Sequence, residues 1–111
     1  MEDSINMPIV EELKQLMEED FPLLIETYVN DCDARIDALA LAISNQDATE
    51  VREIAHAFKG SSSNLGAEKL TSICFRLETM GREGELANAN DEYINMKSEY
   101  LKVREYFKNL L

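Results

Sequence analysis

The chain has one histidine, His56, and its position within a helical segment points to chemistry. Successive helical residues are rotated by about 100°, so Phe58 and Leu65 fall within about 60° of Val51 and share an apolar stripe with it. His56 lies about 140° from Val51, which predicts that its imidazole faces solvent. Because an exposed imidazole is largely neutral and nucleophilic near neutral pH, the helix offers a nucleophile to a partner.

The residues around His56 suit a phosphoryl group. Arg52, Lys59 and Ser63 share its outward side, and a phosphoryl group carries about two negative charges, which Arg52 and Lys59 are placed to offset. Ser63 fits either a hydrogen bond to that group or a need for small size, and the two cations also fit ordinary solvated helix positions. Gly60 costs about 1 kcal/mol relative to alanine inside a helix, and it lies opposite the apolar stripe, which favours clearance for a partner over a packing role.

Helical periodicity extends over most of the chain, whereas strand signals are weak. The predicted helices run from about Met7 to Glu18, from about Phe21 to Asn45, from Asp47 to about Leu65, from after Gly66 to near Gly81, and from about Glu85 or Asp91 to Asn109. The segment from Gly81 to Gly84 is predicted as a turn. Four long amphipathic helices with short connections predict an all-α, antiparallel four-helix bundle, with the short first helix capping one end.

Several signals support these bounds. Asn6 is a predicted cap with Pro8 in the first turn, Asp47 and Glu50 form a capping box, and Gly66 fits a left-handed helix end. Residues at helical spacing predict the core side of the last helix: Tyr93, Ile94, Met96, Tyr100, Val103 and Phe107. Phe21 is expected to cap the bundle, with contact to a partner as the alternative.

Composition excludes several classes. The 111 residues are the length of one domain, which we assign to residues 1–111, and 45% hydrophobic residues are enough for a core. The formal charge of −11, from 22 acidic and 11 basic residues, disfavours nucleic acid and anionic membrane as partners. The longest apolar run, Ala38 to Ile43, is too short to span a bilayer.

Cysteine usage and the start of the chain set the expected compartment. Cys32 and Cys74 are too few for a disulfide framework or a four-ligand zinc site, and they fall on apolar stripes as inert thiols. The start, Met1-Glu2-Asp3, lacks the basic residues of a secretory signal. We therefore expect a cytoplasmic protein that holds no metal of its own.

The segment from His56 to Ala67, His-Ala-Phe-Lys-Gly-Ser-Ser-Ser-Asn-Leu-Gly-Ala, resembles the signature of histidine-containing phosphotransfer (HPt) domains of bacterial multistep phosphorelays. The similarity continues through Leu77-Glu78 and the segment Gly81-Arg82-Glu83-Gly84, and it covers roughly residues 28 to 84. Outside that range the chain matches only as helices.

This resemblance implies that His56 accepts a phosphoryl group on Nε2 from a receiver-domain aspartate and passes it to another receiver aspartate. The implied partners are the receiver domains of a hybrid histidine kinase and of a response regulator, with Mg²⁺ on the receiver and no cofactor on this chain. The resemblance further implies that Lys59 stabilises the phosphoryl charge and that Gly60 leaves room for the receiver. Some relatives hold the second imidazole nitrogen with a polar side chain of the next helix; here Met80 falls near that place, and Arg76, Thr79, a water molecule or nothing would have to replace it.

Two other readings stay open. A helical adaptor that binds receiver domains without phosphorylation would tolerate replacement of His56. An enzyme such as a kinase fragment or phosphatase is disfavoured, because no glycine-rich phosphate loop is present and 111 residues leave no room for a nucleotide-binding domain. A kinase phosphoacceptor hairpin would form a stable dimer, whereas we expect a monomeric phosphocarrier.

Overall fold

The computed structural model describes residues 4–111, which form five α-helices, one short 3-10 helix and no strand. The α-helices are α1 (Met7–Met17), α2 (Phe21–Ser44), α3 (Ala48–Asn64), α4 (Glu68–Glu83) and α5 (Ala89–Lys108), and the 3-10 helix is Glu18–Asp20. Helices α2 to α5 pack in a ring in which each contacts the next and α5 returns to α2. This arrangement confirms the predicted all-α bundle.

Neighbouring helices of the ring are antiparallel, as their short connections require. Between α2 and α5 the direction is visible in two bonds: the Tyr93 hydroxyl donates to the Ile36 carbonyl at 3.2 Å, and the Tyr100 hydroxyl donates to the Val29 carbonyl at 3.1 Å. Residue numbers therefore rise along α5 as they fall along α2.

Helix α1 caps the end of the bundle that carries the connection between α3 and α4. Asn6 caps α1, because its Oδ1 accepts the Ile9 N–H at 3.3 Å. The Asn6 N–H also donates to the Gly66 carbonyl at 2.8 Å, and its side-chain amide donates to Glu68 at 2.8 Å. Gly66 has φ +78°, so the predicted left-handed end of α3 is confirmed and α1 is fixed against it.

The prediction of a turn from Gly81 to Gly84 is wrong. Helix α4 continues through Gly81 to Glu83 and ends at Gly84, whose φ is +70°. The Glu85 N–H closes this end by donating to the Met80 carbonyl at 3.0 Å. Gly81 is buried within the helix, so its lack of a side chain serves packing and not a turn.

The core lies inside the ring and carries an aromatic cluster of Tyr28, Phe58, Tyr100 and Phe107, whose rings meet edge to face at centroid distances of 5.6–6.4 Å. The predicted core side of α5 is confirmed at Met96, Tyr100, Val103 and Phe107, and Tyr93 is partly buried. Ile94 was placed inward wrongly: it is 57% exposed, because the Met96-to-Phe107 stripe turns it away from the ring.

Three further residues of the core match expectation. Phe21 is buried at the start of α2, as expected for a cap of the bundle. Cys32 and Cys74 are free and buried, and burial raises the pKa of each thiol to about 12 because a thiolate there would lose its hydration. The predicted placement of both thiols in the core is confirmed, and a raised pKa disfavours the reactive thiolate.

Candidate functional site

His56 lies in the middle of α3 with its side chain 67% exposed, as the helical arithmetic predicts. Its Nδ1 lies 2.9 Å from Oε2 of Glu78 on α4, and this is the ring's one hydrogen bond within residues 4–111. The other ring nitrogen, Nε2, is left for a partner in solution.

Glu78 contacts two side chains of α3 at once, His56 and Lys59. Its side chain is 10% exposed, and its Oε1 lies 2.7 Å from Nζ of Lys59. Burial acts to raise the pKa of Glu78, but the hydrogen bonds and charges of Lys59 and His56 outweigh burial and hold that pKa below its usual value. The carboxylate is therefore ionised at neutral pH and acts only as an acceptor.

An ionised Glu78 decides which nitrogen of neutral His56 carries the proton. Because the carboxylate can only accept, Nδ1 must donate, and the lone pair is then on Nε2. The exposed nitrogen is thus the nucleophilic one. The helix pair presents an oriented imidazole rather than a freely rotating one.

Sequence and packing explain why Glu78 reaches this position. Cys74, Leu77 and Gly81 form the buried side of α4, and Glu78 follows Leu77 on the edge of that side that faces α3. The connection at Gly66 is tight, so α3 and α4 run back along each other. An acidic residue at the edge of an apolar stripe is therefore brought beside the exposed edge of α3.

Lys59 is held from two sides. Its Nζ pairs with Glu78 and also lies 5.1 Å from the centroid of the Phe75 ring. The Lys59 side chain is only 26% exposed, so it is not a freely solvated charge. The prediction that Lys59 supports a phosphoryl group stays a prediction, but its direct contact in this structure is Glu78.

A cavity of about 530 Å³ opens beside His56. It is lined by Arg52, Glu53, His56, Glu78 and Arg82. Arg52 was predicted for this site from the sequence, whereas Arg82 comes from α4, one turn beyond Glu78. Two arginines thus border the space next to the imidazole, together with the carboxylates of Glu53 and Glu78, and guanidinium groups are suited to binding phosphoryl oxygens.

The remaining predicted residues are placed as follows. Gly60 is exposed, and a Cβ added there would meet no atom within 4 Å, which is the open surface that partner clearance requires. Ser63 is exposed in the last turn of α3 and is not among the residues that line the cavity. Arg52 thus lines the same cavity as His56, and Lys59 contacts the same carboxylate as His56, whereas Ser63 does neither. The predicted roles of all three residues stay predictions.

The partner of Nδ1 is Glu78, which is not among the side chains that the family resemblance left open for this role. Arg76 pairs with Glu92 at 2.8 Å, the Thr79 hydroxyl donates to the Phe75 carbonyl at 2.9 Å, and Met80 packs against the core. Glu78 holds the nitrogen instead. It lies two residues before Met80 and is therefore rotated by about 200° from it, toward α3. The available signal was a glutamate adjoining the apolar stripe of Cys74 and Leu77.

Two general findings bear on what the surface binds. In the part of the chain that the structure describes, no group of three or more histidine, cysteine, aspartate or glutamate side chains is arranged to hold a metal ion. None of the helices in residues 4–111 combines the length and apolar character needed to cross a membrane.

Comparison with known proteins identifies the family. The Hpt domain family matches residues 23–106. The phosphorelay protein LuxU of Vibrio vulnificus is 23% identical over 75 residues, which cover 68% of this chain and 65% of LuxU. Histidine-containing phosphotransfer protein 5 of Arabidopsis thaliana is 25% identical over 84 residues, covering 66% of this chain and 54% of that protein. The chain thus spans less than two thirds of the length of these curated relatives.

A solved structure agrees over nearly the whole chain. The crystal structure of histidine-containing phosphotransfer protein B from Pseudomonas aeruginosa PAO1 is 37% identical, with a TM-score of 0.93, and covers 96% of this chain and 92% of that one. The family resemblance inferred from the His56 segment is thereby confirmed. The chain belongs to the Hpt domain family, the histidine-containing phosphotransfer proteins of phosphorelays.

Proposed function

We propose that this chain is a phosphocarrier in which Nε2 of His56 takes a phosphoryl group from the aspartyl phosphate of one receiver domain and passes it to the aspartate of another. The observation that carries this proposal is the hydrogen bond from Nδ1 of His56 to the ionised Glu78 at 2.9 Å. It leaves the exposed nitrogen unprotonated and aimed at solvent. Family membership supplies the reaction class.

The transfer step consumes and releases no group other than those of the two proteins. The Nε2 lone pair attacks phosphorus and forms an N–P bond while the P–O bond to the receiver aspartate breaks, so the aspartate leaves as a carboxylate. The proton on Nδ1 stays in place, and the phosphorylated ring becomes positively charged. Glu78 offsets that charge through the same hydrogen bond, which stabilises the phosphohistidine and the transition state before it.

The charges around the cavity have separate roles in this proposal. Arg52 and Arg82 border the space beside His56 and offset the charge of the phosphoryl group. Lys59 keeps Glu78 ionised and holds its second oxygen. Lys59 therefore acts on the reaction chiefly through the carboxylate, with direct support of the phosphoryl group available if its side chain swings outward.

The partner supplies the rest of the machinery. The exposed surface at Gly60 admits a receiver domain to His56. We propose that Mg²⁺ belongs to the receiver, that this chain works as a cytoplasmic monomer without a cofactor or autonomous kinase activity, and that its charge of −11 keeps it off nucleic acid and anionic membrane.

The test is label transfer from a panel of phosphorylated receiver domains, in the presence of Mg²⁺, to the wild type and to His56→Gln. We expect label on the wild type alone, labile in acid and stable in base. Matching circular dichroism and thermal unfolding of the two proteins would show that glutamine leaves the fold intact.

Other outcomes have distinct meanings. Equal labelling of His56→Gln would remove His56 as the acceptor. Receivers that bind the wild type in the presence of Mg²⁺ yet never label it would favour the adaptor that binds without phosphorylation.

A further inference from the structure

Gly81 marks the closest approach between α3 and α4. A Cβ built on Gly81 would lie 2.6 Å from the backbone N of Arg52, 2.7 Å from the carbonyl O of Ala48 and 2.9 Å from Cα of Arg52. All three neighbours are backbone atoms of a helix, so no change of side-chain rotamer relieves the contact. Ordinary contact distances of about 3.5 Å require the two helices to separate locally by about 0.5–1 Å if residue 81 has a side chain.

This close approach lies one turn from the hydrogen bond that orients His56. On α4, Gly81 follows Glu78 by three residues, and on α3, Arg52 precedes His56 by four, so the two pairs lie side by side along antiparallel helices. The rise between them is about 4.5–6 Å. A separation at Gly81 is therefore transmitted to the gap that Glu78 spans.

The contacts across that gap have little slack. Nδ1 of His56 and Oε2 of Glu78 are 2.9 Å apart, and a separation of about 0.5–1 Å moves them to or beyond the limit of a hydrogen bond. The 2.7 Å contact between the other oxygen of Glu78 and Lys59 crosses the same gap, and the Glu78 side chain is only 10% exposed, so the carboxylate has little room to reorient.

We infer that Gly81 is a positioning residue for the phosphotransfer reaction: by carrying no side chain, it lets α4 approach α3 closely enough for Glu78 to hold the His56 ring with Nε2 outward. Gly81 touches neither the phosphoryl group nor His56. It acts through Glu78. The inference rests on the proposed function for its effect on transfer, but its effect on the ring does not depend on transfer.

The test is ring-nitrogen NMR, at a pH where the imidazole is neutral, on the wild type, Gly81→Ala and Gly60→Ala. The signals belong to His56 because the chain has one histidine. We expect the tautomer protonated at Nδ1 in the wild type and a mixture of tautomers in Gly81→Ala. Gly60→Ala is the matched control for the spectra, because it adds the same methyl group to the neighbouring helix where nothing lies within 4 Å. A folded Gly81→Ala with the wild-type tautomer would overturn the inference.

A second variant covers the case in which Gly81→Ala does not fold. Glu78→Asp shortens the side chain by one carbon–carbon bond, about 1.5 Å, and leaves Gly81 untouched. If the helix gap limits the contact, Glu78→Asp also yields mixed tautomers. A retained Nδ1–H tautomer would show that the contact between His56 and residue 78 tolerates a change of this size in the distance it spans, and the proposed role of Gly81 would fail.

Phosphoryl transfer separates the two proposals. Misplacement of a positioning group slows a reaction, and because Gly81 acts through Glu78 its loss cannot exceed the loss of Glu78 itself, so we expect transfer to folded Gly81→Ala to slow by up to about 10- to 30-fold. In a Glu78→Ala background, Gly81→Ala should cause no further loss, since Gly81 acts through Glu78. If the wild type shows the expected tautomer but carries no label, the proposed function fails while the positioning inference stands.

Discussion

Replacement of Glu78 with alanine tests how the two helices orient and charge His56. In the phosphorylated state the bond from Nδ1 to Glu78 joins two charged groups, and hydrogen bonds to charged groups contribute about 1.5–3 kcal/mol. Because the His56 side chain is 67% exposed, solvent screens this bond, and the lower part of that range, about 1.5–2 kcal/mol, applies. We therefore expect transfer to Glu78→Ala to be about 10- to 30-fold slower than to the wild type.

Glu78→Gln separates charge from hydrogen bonding. The glutamine carbonyl can still accept from Nδ1–H, but a neutral acceptor is worth about 1 kcal/mol less than a charged one, so transfer should slow by about fivefold. The matched control is Glu83→Ala, which removes an exposed glutamate from the end of the same helix and lowers the net negative charge equally. Rates for this control should stay within about twofold of wild type.

The assay is rapid-quench measurement of phosphoryl transfer from one labelled receiver domain, with protein at saturation so that binding does not limit the rate. Urea unfolding of each variant shows the folded fraction, since Glu78→Ala also leaves Lys59 without its partner. Wild-type transfer rates in folded Glu78→Ala would refute the reasoning that Glu78 orients and stabilises the His56 ring.

Three further predictions concern stability and access. The pKa of Glu78 lies below its ordinary value of 4.5, so the stabilisation that ionised Glu78 provides is complete above pH 4.5 and is lost as the pH falls through the lowered value. Between about pH 6 and about pH 3, the free energy of unfolding in urea should therefore fall more for the wild type than for Glu78→Gln. Equal decreases would contradict this prediction. Gly60→Leu should unfold at the same urea concentration as the wild type or a higher one, because leucine favours helix by up to about 1 kcal/mol over glycine. It should nevertheless accept phosphoryl groups more slowly than the wild type, because the leucine side chain blocks the receiver domain. A wild-type rate would show that Gly60 is not needed for clearance. Ser62→Ala should lower the free energy of unfolding by about 1–3 kcal/mol, because Ser62 is buried and the loss of its 2.8 Å hydrogen bond leaves the buried Tyr28 hydroxyl without this partner. Ser63→Ala should lower it by less than about 0.5 kcal/mol, because Ser63 is exposed. Similar decreases for the two variants would contradict this distinction.

Much of the fold could be predicted from local pattern. Asn6 and Asp47 were recognised as helix caps because a cap uses only residues within one turn of itself. Gly66 was recognised as a left-handed helix end for the same reason. Gly81 was misread as part of a turn because a glycine that ends a helix and a glycine that admits a neighbouring backbone look alike in sequence.

In the candidate site, too, the features within α3 could be predicted from the sequence, whereas the contact with α4 could not. The outward position of His56 follows from helical geometry, and so does its nearness to Arg52 and Lys59, which lie one turn away on the same helix. Glu78 is 22 residues from His56, and only the register between α3 and α4 decides that it, and not Met80 two positions later, meets the ring.

Helical periodicity and a contiguous motif are local properties, so they were enough to predict an all-helical chain, an exposed histidine between cations and the resemblance to phosphotransfer domains. The tertiary structure alone decided which nitrogen of His56 carries the proton, that Lys59 pairs with Glu78, and that Arg82 joins Arg52 beside the ring. Those features depend on how closely α3 and α4 pack, and that distance is set by atoms far apart in the chain, such as Gly81 against the backbone of Arg52.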